Sequence, residues 1–142
     1  MFLDVEGAPS LSVGYYTGWA QTLLSHSAHL TNGTVQILPC VYATQGDTTT
    51  RQAVKTAADQ AVGSNGAWVA RWTHHGCSRL YNWVDTVVQP QVTLPCKVML
   101  WQYSDDCHGG NGFDCNQTNP SIDVDAELLP FLVLPPDMTG IV

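Results

Sequence analysis

Basic residues are scarce: five Lys and Arg stand against twelve Asp and Glu in 142 residues, for a formal net charge of -7. So few cations cannot neutralise a run of phosphates, which argues against a nucleic-acid partner bound through counterion release. An anionic membrane surface is disfavoured for the same reason. Long apolar runs are lacking too. The longest, around Ile37-Leu38 and from Leu128 to Leu134, fall short of the roughly 18 to 20 residues that a spanning helix needs, and both carry Pro. Met1-Phe2-Leu3-Asp4-Val5-Glu6 has neither a basic nor an apolar leader region, so no signal peptide is expected in the chain as written. Zinc signatures are absent. His74-His75-Gly76-Cys77, and Cys107-His108 with Cys115, fit neither C-x₂-C nor H-x₃₋₅-H, so they read as solvated loops and no metal is expected. No nucleophile elbow accompanies the cysteines, and no cofactor is implied.

What the chain does have is cysteine together with many Gly, Thr, Asn and Gln, the usage of an exported, disulfide-bearing protein, extracellular or in a cell wall. Cys107 and Cys115 bracket a Gly-rich loop, and Cys77 and Cys96 bracket another long connection; spacing leaves the pairing open. Under those pairings Cys40 is left over. Asn32-Gly33-Thr34 and Asn116-Gln117-Thr118 match glycan acceptor sequons, a pattern that also arises by chance.

Hydrophobic periodicity gives strands alternating with helices in a single α/β domain. Phe2–Glu6 reads as a strand, Tyr15–Ser27 as an amphipathic helix, and Val35–Tyr42 as a buried strand. Thr49–Val62 reads as a helix, Ala67–Trp72 as a strand, Leu80–Val88 as a short helix and Lys97–Tyr103 as a strand. Ile122–Asp125 is a last short strand; residues 1–125 form the core and 126–142 a Pro-containing tail. About five parallel strands in βαβα order predict part of a (β/α)8 TIM-like barrel. A closed barrel takes about 250 residues, so this chain corresponds to a C-terminal portion with the N-terminal strands missing. An isolated part-barrel exposes strand edges and could recover closure by dimerising edge to edge.

Asp4-Val5-Glu6 is the sharpest local signal. Residues i and i+2 of a strand point to one face with backbones about 6.6 Å apart, so both carboxylates share one pocket. In a water-poor site such a pair pushes its two pKa values apart, leaving one group as acid and one ionised. Two carboxylates flanking a scissile bond are what glycoside hydrolysis uses; the plainer reading is a polar outer face. Leu100-Trp101-Gln102-Tyr103-Ser104 is the second signal. Its Trp and Tyr can make platforms for sugar rings, its Gln and Ser can bond hydroxyls, and Asp123 is expected at a strand mouth, where parallel α/β folds assemble sites. The plainer reading is core aromatics and a capping Asp.

Taken in order, Asp4-Val5-Glu6, Val41-Tyr42, Trp68-Val69-Ala70-Arg71-Trp72, Trp101-Gln102-Tyr103-Ser104 and Ile122-Asp123-Val124-Asp125 resemble the successive strand motifs of the family 25 glycoside hydrolases, lysozyme-like muramidases with a (β/α) barrel, or of a related glycoside hydrolase-like barrel family. The family's first strand, with G-x-D, has no counterpart, and its last motif usually ends in Asn where this chain has Asp125. The resemblance implies cleavage of the β-1,4 bond of peptidoglycan, with Glu6 as general acid. Asp4 and Asp123 would stabilise oxocarbenium charge or orient the substrate N-acetyl group, and Tyr42, Trp72, Trp101, Gln102 and Tyr103 would line the sugar groove. A non-catalytic carbohydrate-binding or wall-associated barrel domain, or an inactive gene fragment, are the alternatives, since fold does not imply function.

Overall fold

The computed structural model describes residues 1–6, 9–33, 35–72, 82–107 and 113–129. Its elements are β1 (Phe2–Val5), α1 (Val13–Leu30), β2 (Cys40–Thr44), α2 (Thr48–Asp59), β3 (Ala67–Ala70), α3 (Asp85–Val88), β4 (Val98–Cys107) and β5 (Phe113–Thr118), followed by a turn of π-helix at Val124–Leu128. The fold is α/β. The strands form one sheet in the order β1-β2-β3-β4-β5, the first four parallel and β5 antiparallel to β4.

Local chemistry explains the boundaries. Ser12 caps α1 by accepting from Tyr15 N, and Asp47 caps α2 by accepting from Thr50 N at 2.9 Å. Asn32 and Gly33 at positive φ end α1, with Gly33 N donating to Ala28 O at 2.7 Å. The strand expected over Val35–Tyr42 starts only at Cys40, immediately after Pro39, a residue with no N–H for a ladder. Of the helix expected over Leu80–Val88, a single turn at Asp85–Val88 forms; Leu80 and Tyr81 lie outside the described residues.

Two expectations about strands are corrected. The sheet has four parallel strands, and its fifth, Phe113–Thr118, falls where a Cys-flanked loop was expected. Cys107 and Cys115 thus belong to adjacent antiparallel strands of a hairpin. Ile122–Asp125 is no strand: Ile122 packs with Met99 and Leu128, and Asp123 caps the π-helical turn.

One face of the sheet is covered by helices. Val41, Val69, Trp101 and Tyr103 pack there against Tyr16 and Ala20 of α1, Val54 and Ala57 of α2 and Val88 of α3. Strand alternation sends Phe2, Asp4, Tyr42 and Trp68 to the opposite face. A β-bulge decides where β4 falls. Ala67 pairs with Val98 but Trp68 pairs with Leu100, so Met99 is the extra residue. Val98 and Trp101 can then both join the helix-side core, while Leu100 and Gln102 turn to the other face. Among the described residues no helix is long and apolar enough to cross a membrane.

Candidate active site

The helix-free face carries polar chemistry. Asp4 is in register with Tyr42, Tyr42 with Trp68 and Trp68 with Leu100, so a row of site-face residues crosses four strands. A cavity of about 200 Å³ opens over this row, walled by Asp4, Glu6 and Asp114 and by Phe2, Tyr42, Trp68 and Gln102. Its aromatic wall is built edge to face: Trp68 stands 5.1 Å from Tyr42 and 5.7 Å from Phe2, centroid to centroid. On the outer side of β1 the same two carboxylates, Asp4 and Glu6, border a second hollow of about 560 Å³, where Tyr15 also stands. The pair therefore forms a ridge between two depressions.

Hydrogen bonds join the wall into a chain. Tyr42 Oη lies 2.6 Å from Glu6 Oε1 and 2.6 Å from Gln102 Oε1. Gln102 Oε1 accepts from Trp72 Nε1 at 3.0 Å, and Gln102 Nε2 donates to Asp114 Oδ2 at 2.7 Å. Trp68 Nε1 donates to Asn116 Oδ1 at 3.0 Å, tying the aromatic wall to β5. Tyr42 is 5% exposed and Gln102 4% exposed, whereas Asp4 and Glu6 reach solvent. Burial, the bond toward Glu6 and the charges of Glu6, Asp4 and Asp114 all push the Tyr42 hydroxyl pKa well above its ordinary value.

Partial burial first, and the Glu6 charge second, raise the Asp4 carboxyl from its ordinary 3.8. The folded protein therefore holds the Asp4 proton to higher pH than the unfolded chain does. Wild type is expected to lose stability relative to Asp4→Asn as pH rises through 3.8 and beyond. Urea midpoints at about pH 3 and about pH 7 check the sign; a relative gain for wild type on going up in pH would contradict this environment.

The structure brings Asp4, Glu6, Tyr42, Trp72 and Gln102 together. It does not bring Trp101, Tyr103 or Asp123 there. Trp101 and Tyr103 are buried on the helix side; Trp101 Nε1 donates to Arg71 O at 3.0 Å and its ring meets those of Trp83 and Tyr103. Asp123 lies at the other end of β4. Its neighbours there are Asn119, bonded to Met99 O, and Glu127, which accepts from Asp123 N and pairs with Lys97. Asp123 Oδ1 accepts from Asp125 N and Ala126 N at 3.0 and 3.1 Å, a helix cap. Asp123→Ala is expected to cost about 0.5–2 kcal/mol in a urea titration and to leave any hydrolysis unchanged. A loss of hydrolysis without that loss of stability would return Asp123 to the chemistry.

Asp114, Asn116 and the ring of Trp68 are the site residues that sequence reasoning missed. A signal for two of them was present: Asp114-Cys115-Asn116 is an Asp-x-Asn triplet, closer to the last motif of the resemblance than Asp123-Val124-Asp125. Cys40 is a buried thiol pushed up to about 11 by burial, and Cys96 is likewise a thiol held high by burial. Cys77, the His74-His75 pair and His108 lie outside the described residues, as does the side chain of Cys107. Among the described residues no three His, Cys, Asp or Glu side chains converge on a metal position. Comparisons with protein-family models, curated proteins and solved structures find no match for this chain.

Proposed function

We propose that this domain is a glycoside hydrolase acting on a β-1,4-linked amino-sugar polysaccharide of the peptidoglycan type, exposed outside the cell, and that its sheet is a segment of a (β/α)8-like barrel. The observation that carries this reading is the ridge of Asp4 and Glu6 between two hollows. A polymer laid across it would set its scissile bond over the carboxylates, with sugars on either side. Glu6 delivers its proton to the leaving glycosidic oxygen, which takes the electron pair of the breaking C–O bond. Positive charge develops on the sugar ring beside Asp4 and Asp114, and a water molecule adds to that ring carbon, giving up the proton that restores Glu6. In this proposal Asp114, which lines the cavity, takes the charge-stabilising role that the resemblance implies for Asp123.

Trp72, 47% exposed beside the site, supplies an open ring face for a sugar. The same face suits a binding module that does not hydrolyse. Incubation with purified peptidoglycan separates the two: released reducing ends that vanish in Glu6→Gln support the hydrolase, and pull-down without reducing ends in wild type supports the binding module.

A further inference from the structure

We infer that Gln102 is a positioning residue that ties the sugar platform Trp72 and the carboxylate Asp114 to one another, so that the ring a glycan rests on and the charge beside its reacting carbon keep a fixed spacing. The roles of Trp72 and Asp114 rest on the hydrolase reading; the link between them does not.

Gln102 stands between the two groups it serves. It is in register with Ala70 at the end of β3 on one side and with Asn116 of β5 on the other. Trp72 follows Ala70 by two residues, past the end of β3, and Asp114 precedes Asn116 by two on β5. Gln102 is 4% exposed, whereas Trp72 and Asp114 both reach solvent, so a buried residue holds two that packing covers only in part. The backbone leading into Trp72 is held from the same strand: Arg71 N donates to Gln102 O at 3.0 Å, and Trp101 Nε1 donates to Arg71 O at 3.0 Å.

The direction of the Gln102 amide is forced. Its nitrogen faces the Asp114 carboxylate at 2.7 Å and its oxygen faces the Trp72 indole N–H at 3.0 Å. Turning the amide over would set oxygen against carboxylate and N–H against N–H, two repulsive contacts in place of two bonds. Tyr42 Oη, 2.6 Å from the same amide oxygen, closes its other side. The amide is planar and rigid, so the donor it gives Asp114 and the acceptor it gives Trp72 hold one separation. Rotation about the last side-chain bond of a Trp has no sharp preference of its own. For a ring half in water, the bond from the indole nitrogen therefore selects the pitch. Gln102 touches no substrate atom in this role; it acts through Trp72 and Asp114.

Nuclear magnetic resonance of the ¹⁵N-labelled chain reads the link with no glycan present. The indole N–H signal that Trp72→Phe lacks belongs to Trp72, and the side-chain NH₂ pair that Gln102→Met lacks belongs to Gln102. In wild type the Trp72 indole proton is expected to exchange with solvent about tenfold or more slowly than in the urea-unfolded chain, and Gln102→Met is expected to lose that protection. The Gln102 NH₂ pair is expected to shift in both Trp72→Phe and Asp114→Ala. An unprotected Trp72 indole in wild type, or a Gln102 pair that moves in only one of the two variants, overturns the inference. On peptidoglycan, Gln102→Met is expected to raise KM about two- to tenfold, the effect of one lost hydrogen bond on the platform, and to lower kcat about tenfold or more through Asp114. With Trp72→Phe added to Gln102→Met, KM is expected to stay within about threefold of Gln102→Met alone, because the second change removes a bond already broken. KM effects that multiply count against the proposal. So does a Gln102→Met protein that folds, melts lower and keeps both constants near wild type, the result a merely structural Gln102 would give. If wild type releases no reducing ends, the hydrolase reading fails while the resonance spectra still decide this one.

Discussion

Glu6→Gln is expected to lower the release of reducing ends from peptidoglycan by about a hundred- to ten-thousandfold, the range that proton transfer by a positioned side chain contributes. Gln keeps the size of Glu and can still hydrogen-bond Tyr42 Oη, the partner 2.6 Å away. The change removes an acidic proton and little else, so the urea midpoint is expected to stay within the spread of surface substitutions, about 0.5 kcal/mol. Asp4→Asn is expected to lower the rate less, because Asp4 makes no proton transfer in this scheme and Asp114 faces the same cavity. Steady-state rates on purified glycan, taken with urea titrations of the same preparations, check both. A Glu6→Gln protein that keeps its rate to within about tenfold would remove Glu6 from the role of acid, since proton transfer could not then account for the catalysis.

The parts of this site legible in the sequence were those fixed by strand parity alone. Asp4 and Glu6 lie two residues apart at the end of one short strand, and nothing intervenes to change the face they share. Tyr42 follows from an apolar strand bounded by Pro39 and a capped helix, features that leave its register little freedom. β4 was harder, and the reason is the bulge at Met99. Val98 and Trp101 are three residues apart yet both bury on the helix side, a spacing that period-2 reading cannot generate. Trp101 and Gln102 are adjacent in an extended strand and so face opposite sides. Strand parity therefore keeps the two out of one groove. β5 was illegible for a different reason: Asp114, Asn116, Gln117 and Thr118 lack the alternation of apolar residues that marks a half-buried strand. Its pairing with β4 is stabilised by ladder hydrogen bonds and by the polar ties Gln102–Asp114 and Trp68–Asn116, contacts between residues far apart in the chain. Ile122–Asp125 erred the other way, since two alternating apolar residues mimic a strand while Asp123 accepts two N–H groups as a cap.

Because Trp101 lies on the helix side of the sheet, Trp101→Ala and Trp72→Ala are expected to fail in opposite ways. Trp101 is 2% exposed, fills the space between Trp83 and Tyr103, and satisfies Arg71 O through its indole N–H. Truncating a buried Trp to Ala costs about 3–5 kcal/mol through lost transfer energy and the cavity left behind. That is a large fraction of the roughly 5–15 kcal/mol that holds a domain folded. At about 3 °C per kcal/mol for a chain of this size, the melting temperature is expected to fall by about 9–15 °C. Trp72→Ala removes a ring 47% exposed and one hydrogen bond to Gln102, so its cost in stability is expected to stay near 1 kcal/mol. Its effect should appear instead as weaker retention on peptidoglycan and a raised KM. Calorimetry and glycan pull-down on the two variants decide the matter. Should Trp101→Ala melt like wild type while losing the glycan, its ring would have to face the sugar. The parity of β4, and with it the placement of Gln102 beside Tyr42, would then be wrong.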